Sequence, residues 1–512
     1  MTWLFQNSNN SKVLTTISRL VGLVYLIAFI PMLFELLPLI GQHGLQPAND
    51  LLEIAYKSEG AFSFIRFPSL YWFLPNDVFL YLLICSGIAS GLALFIGFQP
   101  IVFSFLAWLS FTSICTIGGD FYVIIIDLFL SEVGFLIFLV HLSKNWLGYI
   151  PNLVSFSLTF LNFRLWFSMG VIKFFCAHDI WKDGSFFSAF FPNQPMPSPL
   201  AYYAAQLPEW LFWTAEVWLF IVQIIMPFFV FGNKYFRWIA MLNFIAMSVA
   251  IMLVGNYGYF NLLSVILALA LIKDEDLKNY TKANLQIIPQ KPWRVKLLSI
   301  IIIPLLLLQF FYTLALFDPN PPGYQNHFNH VFLYQNWQRG WKGIVSTCAK
   351  PFVFLRITNP YGVFKSMPKY RNELRFSGSM DSVEWKAYVF KYAPTAQRNH
   401  LKWFAPYYPR LDHLLFYESI NAGGYRFNLL NPYYTTNNVW TCRFIDALKT
   451  NKKDILSLLA NYPFHNSPPV FIRCEVYSLD FDYQEGLWHS KLTALLPQQK
   501  PKCRPLLDSL DQ

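Results

Sequence analysis

Two basic residues interrupt a single apolar run: Arg164 and Lys173 stand inside Leu153–Phe175, and the preceding run, Phe121–His141, holds Asp127 and Glu132. A charge inside hydrocarbon costs several kcal/mol unless it is paired or hydrated, which makes each of these residues a functional candidate. Glu216, in Trp210–Phe231, adds a third acidic position. The chemistry open to such an intramembrane polar cluster is an ion or proton pathway, or a lysine acting as a base. The structural alternative is a set of internal ion pairs that fixes helix register. If the two runs are antiparallel helices about a short loop near Gly148, Glu132 and Arg164 lie at equal depth, and Asp127 and Lys173 match nearer the other face. Glu132 is therefore expected to pair with Arg164. Lys173 is expected to be balanced by Asp127 or Glu216, or to snorkel to the interface. Asp127 and Glu132 are about 140° apart around a helix, and Arg164 and Lys173 about 180°, so one straight seam cannot serve both pairs.

The segment after Cys176 offers a different kind of site. Pro192, Pro195, Pro197 and Pro199 fix φ along it, while Trp181, Phe186, Phe187, Tyr202 and Tyr203 supply amphipathic contact area. Trp181, Gln194, Pro195, Pro197, Pro199, Tyr202 and Tyr203 are read as an exposed loop that binds a partner or the chain's own outer domain; the alternative is an aromatic belt at the membrane interface. Arg410 with Asp412, and Arg371 with Glu373, read as surface ion pairs. The sequence contains no G-x-x-x-x-G-K-[ST], no H-E-x-x-H and no G-x-S-x-G. His327 and His330 form only a weak pair for a metal, and no metal or cofactor is expected.

The elements that must position these residues follow from composition. The chain has 512 residues, 55% hydrophobic and only 13% charged, against roughly 25% charged in soluble domains. Apolar runs at Arg19–Ile40, Val78–Phe98, Ile101–Gly118, Phe121–His141, Leu153–Phe175, Trp210–Phe231, Phe236–Val254, Tyr257–Ile272 and Leu297–Phe317 suggest about nine spans, the short Tyr257–Ile272 being a candidate re-entrant segment. The first run lacks a small-residue cleavage site and reads as an uncleaved signal anchor. With a cytoplasmic N-terminus, the inner segments hold most cations, among them Lys12, Arg19, Lys144, Lys234, Arg237, Lys278, Lys282, Lys291 and Arg294, as the positive-inside rule asks. The net charge of +10 is thus partly a topology signal, and no nucleic-acid motif accompanies it. The expected division is a transmembrane bundle over 1–317 and an outer α+β or β-rich domain over 318–512. In the latter, Phe352–Thr358, Glu373–Ser377, Trp385–Tyr392 and Val470–Phe481 read as strands, Asn359–Gly362 as a turn between them, and Leu411–Ile420 and Trp440–Asn461 as helices. Cys348, Cys442, Cys474 and Cys503 could form one or two disulfides there. The glycosylation triplets at Asn9 and Asn279 fall on the inner side and the outer domain has none, which with the Lys, Asn, Ile and Phe usage leans towards a bacterial chain.

Several blocks, in order, resemble the lipase maturation factor family: VYLIAF (Val24–Phe29) with GQHGLQP (Gly41–Pro47), FRLWFSMGVIK (Phe163–Lys173), QPMPSPLAYYAAQLP (Gln194–Pro208), GNYGYFNLL (Gly255–Leu263), NPYGVFKSM (Asn359–Met367), RNELRFSGSMDSVEW (Arg371–Trp385), PRLD (Pro409–Asp412) and YPFHNSPPVFIR (Tyr462–Arg473). The resemblance implies a multi-span membrane protein, chaperone-like and without cofactor, that assists folding and assembly of secreted client proteins, lipases in the family. It implies the endoplasmic reticulum membrane in a eukaryote and the inner membrane in a bacterium, with the C-terminal domain on the luminal or periplasmic side and implicated in client contact. The membrane half resembles more remotely the vitamin-K-dependent carboxylase type. That likeness implies, as the alternative, an embedded enzyme acting on a lipid or quinone-like substrate with Lys173 as a base. Transport is a third class.

Overall fold

In hydrocarbon only internal hydrogen bonds satisfy backbone N–H and C=O groups, so long apolar stretches have no alternative to helix. The computed structural model of the chain describes residues 6–8, 10–122, 124–175, 179–277, 292–315, 340–359, 361–364, 367–368, 370–395, 401–422, 439–482 and 487–495. The readings at Asn9, Cys176, His178, Lys278, Asn279, Lys282, Lys291, His327, His330 and Cys503, and the boundary expected at 317/318, lie outside these residues. The bundle comprises α1 (Ser11–Ile40), α2 (Asp77–Ile96), α3 (Pro100–Ile117), α4 (Ile125–Leu147), α5 (Asn152–Phe175), α6 (Glu209–Phe229), α7 (Lys234–Val254), α8 (Phe260–Leu271) and α9 (Pro292–Ala315).

Six of the described helices, α1 to α4 with α6 and α7, are long and apolar enough to cross a membrane. The expected count of about nine is not confirmed among the described residues. α5 carries Arg164 and Lys173, and the apolar stretches Phe260–Leu271 and Lys296–Phe311 are shorter. The boundaries are set locally. Asn76 and Asn233 cap α2 and α7 by accepting from Phe79 N and from Tyr235 N and Phe236 N. Gly148, at φ 82°, closes α4 by donating to Lys144 O, which allows the tight reversal into α5. α6 contains one π turn, Ile221–Ile225.

The C-terminal region adds α10 (Gly340–Phe354), β1 (Arg371–Ser379), β2 (Lys386–Ala387), β3 (Val389–Phe390), α11 (Arg410–Ala422), α12 (Val439–Lys449), β4 (Leu459–Asn461), β5 (Phe471–Asp482) and β6 (Leu487–Leu495). Four strands form an antiparallel sheet in the order β2-β1-β5-β6, with β1 and β5 paired from Arg371↔Leu479 to Ser379↔Phe471. β3 and β4 form a separate pair. Phe444 on α12 packs edge-on against Phe376 at 4.9 Å, and α11 lies on β1. Cys85, Cys115, Cys348 and Cys474 are free thiols.

Several sequence readings fail in this region, and the single strand read over Trp385–Tyr392 is instead β2 and β3, in separate sheets. Phe352–Thr358 is not a strand: it finishes α10 and then turns, with Arg356 at φ 56°, because its polar groups are drawn into the bundle. Trp440–Asn461 is not one helix. Asn451 adopts φ 53°, a left-handed stop, and the chain continues through the short helix Lys453–Leu456 into β4.

Small residues let α1 and α2 approach. A Cβ on Gly22 would meet Phe95 N at 2.6 Å and Gly91 O at 2.8 Å, both rigid backbone atoms. Gly22→Leu is therefore expected to destabilise the full chain by about 1–3 kcal/mol or more. The loss should read as a lower melting temperature and a reduced monodisperse peak in detergent, and an unchanged melting temperature would contradict this packing.

Candidate functional site

Glu132 lies on the buried face of α4 and is fully enclosed. Arg164 Nη1 on α5 donates to Glu132 Oε1 at 2.7 Å, the pair that equal depth led us to expect. Two charges alone do not exhaust a buried carboxylate, whose two oxygens accept up to about four hydrogen bonds. Gln309 Nε2 on α9 donates to the same oxygen at 3.0 Å. The other oxygen accepts from Asn359 N at 3.2 Å, Asn359 Nδ2 at 3.1 Å and the Tyr361 hydroxyl at 2.7 Å. Arg164 Nη2 in turn donates to Asn359 O at 2.9 Å, and Arg356 Nη2 to Cys115 O at 2.9 Å. Asn359 and Tyr361 thus do not flank a turn between strands. Both side chains are buried in the helical bundle, where protein groups satisfy them.

A second carboxylate takes its partner from farther along the chain. Asp127 is bound by both terminal nitrogens of Arg410, with Arg410 Nη2 at 2.8 Å from Oδ1, and by the Tyr259 hydroxyl at 2.7 Å. Arg410 also donates to Phe121 O at 3.2 Å and lies over the Tyr122 ring. The bidentate geometry suits a guanidinium and would be lost with lysine. Asp412 accepts from Tyr392 N at 2.7 Å and Ala393 N at 2.8 Å, tying the start of α11 to the strand region. Arg410 and Asp412 are both buried, which corrects the surface-pair reading. Tyr407 adds a further link, donating to Glu35 Oε2 on α1 at 2.8 Å.

The Pro-rich loop is buried rather than exposed, and its contacts run to the chain's own C-terminal region. Gln194 through Ser198 are buried and Pro199 is half-buried. Gln194 Nε2 donates to Val254 O at 3.0 Å, and Gln194 Oε1 accepts from the Tyr257 hydroxyl at 2.7 Å. Arg371, at the start of β1, donates to Gln194 O at 2.5 Å and Pro195 O at 3.1 Å. Burial pushes the Arg371 guanidinium down to about 9, with Glu373 and Tyr257 pulling the other way, so it remains a cation at neutral pH. Arg371 is therefore not a surface partner of Glu373, which pairs with Arg375 at 2.9 Å. Asn256 donates to Pro197 O and Lys402 O and accepts from Phe404 N and Ala405 N. Fixed φ at the prolines leaves carbonyls at set positions, and the C-terminal region reads them. Trp181 is buried, its indole donating to Phe364 O at 3.1 Å, Tyr202 is half-buried, and Tyr203 is 64% exposed.

Lys173 is the exception. Neither Asp127 nor Glu216 neutralises it, since among the described residues no carboxylate lies within the 4.0 Å of an ion pair. Nor does it snorkel: it is 2% exposed, donating to Met169 O at 3.0 Å and Gln223 Oε1 at 3.1 Å. Glu216 is buried on α6 and its Oε2 has no partner. The sequence reading missed Gln223, Tyr259, Gln309, Asn359, Tyr361 and Arg371 as site residues. Asn-Pro-Tyr punctuates turns, and a neutral amide in an apolar run carries no charge to notice. Nothing in the sequence pointed from Asp127 to Arg410, because equal depth matched Asp127 with Lys173 instead.

The family model for the lipase maturation factor transmembrane domain matches residues 13–279, and that for the lipase maturation factor C-terminal domain matches residues 357–494. Lipase maturation factor 2 of Xenopus laevis is 25% identical, with 90% of this chain and 77% of that protein covered. Lipase maturation factor 1 of Bos taurus is 26% identical, with 91% and 84% covered. Lipase maturation factor 2 of Homo sapiens is 23% identical, with 91% and 79% covered. No solved structure matches.

Removing one member of a buried ion pair typically costs about 3–5 kcal/mol, whereas removing both can be close to neutral. Arg410→Gln should accordingly lower the melting temperature of the full chain sharply, and Asp127→Asn combined with Arg410→Gln should recover most of the loss. Additive losses in the double variant would show that the two side chains are not coupled. Tyr361→Phe, which removes one donor from Glu132, should cost about 1–3 kcal/mol in the same measurement.

Proposed function

Because the chain belongs to the lipase maturation factor family, we propose that it is a membrane-bound maturation factor whose clients are secreted lipases and whose C-terminal domain stands on the outer side of the membrane. The observation that carries this reading is the pair of family matches, 13–279 and 357–494, covering both the bundle and the C-terminal region in order. The mechanism is binding without turnover. The bundle holds the C-terminal domain in a fixed orientation at one membrane face, and the domain engages a client until the client's own apolar surface is buried.

The charge distribution supports this orientation. The contacts Asn7↔Pro151, Lys12 N to Asp274 and Arg237 to Asp276 mark one end of the bundle. Lys12, Arg19, Lys144, Lys234, Arg237, Lys273, Arg294 and Lys296 gather there. The C-terminal region meets the opposite end, at His43, Asp50, Phe121 and Asn256. A basic end faces the cytoplasm by the positive-inside rule. In a eukaryote the outer side is the lumen of the endoplasmic reticulum, and in a bacterium the periplasm. The domain division we propose is 1–317 for the bundle and 318–512 for the outer domain.

The test is co-expression with a dimeric secreted lipase in cells lacking their own maturation factor. The expected outcome is a severalfold gain in secreted lipase activity per unit of lipase protein, with lipase co-purifying on the full chain. Arg410→Gln is expected to lose that gain together with its stability. Lipase activity unchanged by the chain, and no co-purification, would overturn the reading.

A further inference from the structure

Lys173 sits one turn beyond a close helix crossing. A Cβ on Gly170 would meet Gln223 O at 2.8 Å, so glycine there is what lets α5 and the π turn of α6 touch. π turns of this kind occur frequently at functional sites. This one aims Gln223 at the ammonium, with Nζ to Oε1 at 3.1 Å. The second protein acceptor is a backbone carbonyl, Met169 O. Both are neutral. An ammonium carries three donors and a full charge, and removal from water without a counter-charge is among the most expensive events in an apolar medium.

Among the described residues, the two buried carboxylates of α4 are committed elsewhere. Asp127 is held by Arg410 and Tyr259, and Glu132 by Arg164, Gln309, Asn359 and Tyr361. Glu216 lies seven residues before Gln223 on the same helix, about 10 Å along its axis. What separates Lys173 from the bilayer is thin. Trp181 lies 5.7 Å from Nζ, Phe220 is 5.6 Å from Trp181, and Phe174, 62% exposed, is 6.2 Å from Phe220. α6, which carries Phe220 and Gln223, is only 33% buried over its apolar window. A hydrocarbon tail can therefore lie along α6 while its head group passes this aromatic wall.

We propose that Lys173 and Gln223 form a binding site for the monoanionic head group, carboxylate or phosphodiester, of a membrane amphiphile that approaches past Phe174, Phe220 and Trp181. The anion accepts from the Lys173 ammonium and from the Gln223 amide, and the tail stays on the lipid side of Phe174 and Phe220. This site is independent of the client-binding reading, and its failure would leave that reading intact.

The test uses full-length protein in phosphatidylcholine nanodiscs doped with either oleate or phosphatidylglycerol, followed by detergent release and native mass spectrometry. Wild-type protein should retain about tenfold more of one anionic amphiphile than Lys173→Met, as expected for a charge-assisted hydrogen bond, with Lys173→Arg retaining it and phosphatidylcholine equal in all. Retention of oleate alone assigns a carboxylate, and of phosphatidylglycerol alone a phosphodiester; either supports the site. Equal retention by wild type and Lys173→Met, or retention of neither amphiphile, overturns it. If Lys173→Met does not give monodisperse protein, Gln223→Leu replaces it. With one of the anion's two proposed donors removed, retention should fall severalfold below wild type, and retention equal to wild type in that variant overturns the proposal.

Discussion

Two carboxylates buried in an apolar bundle, Glu132 and Asp127, impose the constraint on which the rest of this structure depends. Neither can remain charged there without compensation, and the bundle supplies only part of what each needs. Arg164 and Gln309 satisfy one oxygen of Glu132, and the other is left to Asn359 and Tyr361. Tyr259 gives Asp127 one hydrogen bond, and its counter-charge comes from Arg410. The missing partners lie more than 200 residues along the chain, so the bundle core is hydrogen-bonded in full only with the C-terminal region docked on it. Buried polar networks of this kind are costly when half complete and stiff when complete.

The consequence is a C-terminal domain fixed to the membrane part rather than tethered to it. Arg371 and Asn256 extend the same principle to the rim, where the carbonyls of the Gln194–Pro199 loop are read by groups on β1 and by the 402–405 segment. A maturation factor that works by binding benefits from such an arrangement, because a rigidly held surface loses less entropy on engaging a client. Lys173 stands outside this logic. Its partners are neutral and its surroundings thin, so a brace explains it poorly and an anion site explains it better.

Much of the fold was legible in the sequence. Apolar runs placed α2, α3 and α5 to α7 within two residues at each end and α1 and α4 within eight, and β1, β5 and α11 followed from alternation and helical period. The Glu132–Arg164 pair followed from equal depth alone. What was misread shares a cause. Pro-rich, aromatic and Asn-Pro-Tyr segments look like exposed loops and turns, because composition reports local conformation and not burial by distant chain. Phe352–Thr358 and the Arg-Leu-Asp motif were misread for the same reason.

The sequence by itself determined that the chain is a membrane bundle followed by a mixed domain, which cations and carboxylates lie in apolar surroundings, and to which family its ordered motifs belong. These depend on hydropathy, period and residue type, all local quantities. Only the tertiary structure decided which charges neutralise which. Arg410 belongs to Asp127, Tyr361 and Asn359 belong to Glu132, and Lys173 has no carboxylate among the described residues. A hydrogen-bonded ion pair needs its two groups within about 4 Å of each other, and separation along the chain carries no information about separation in space.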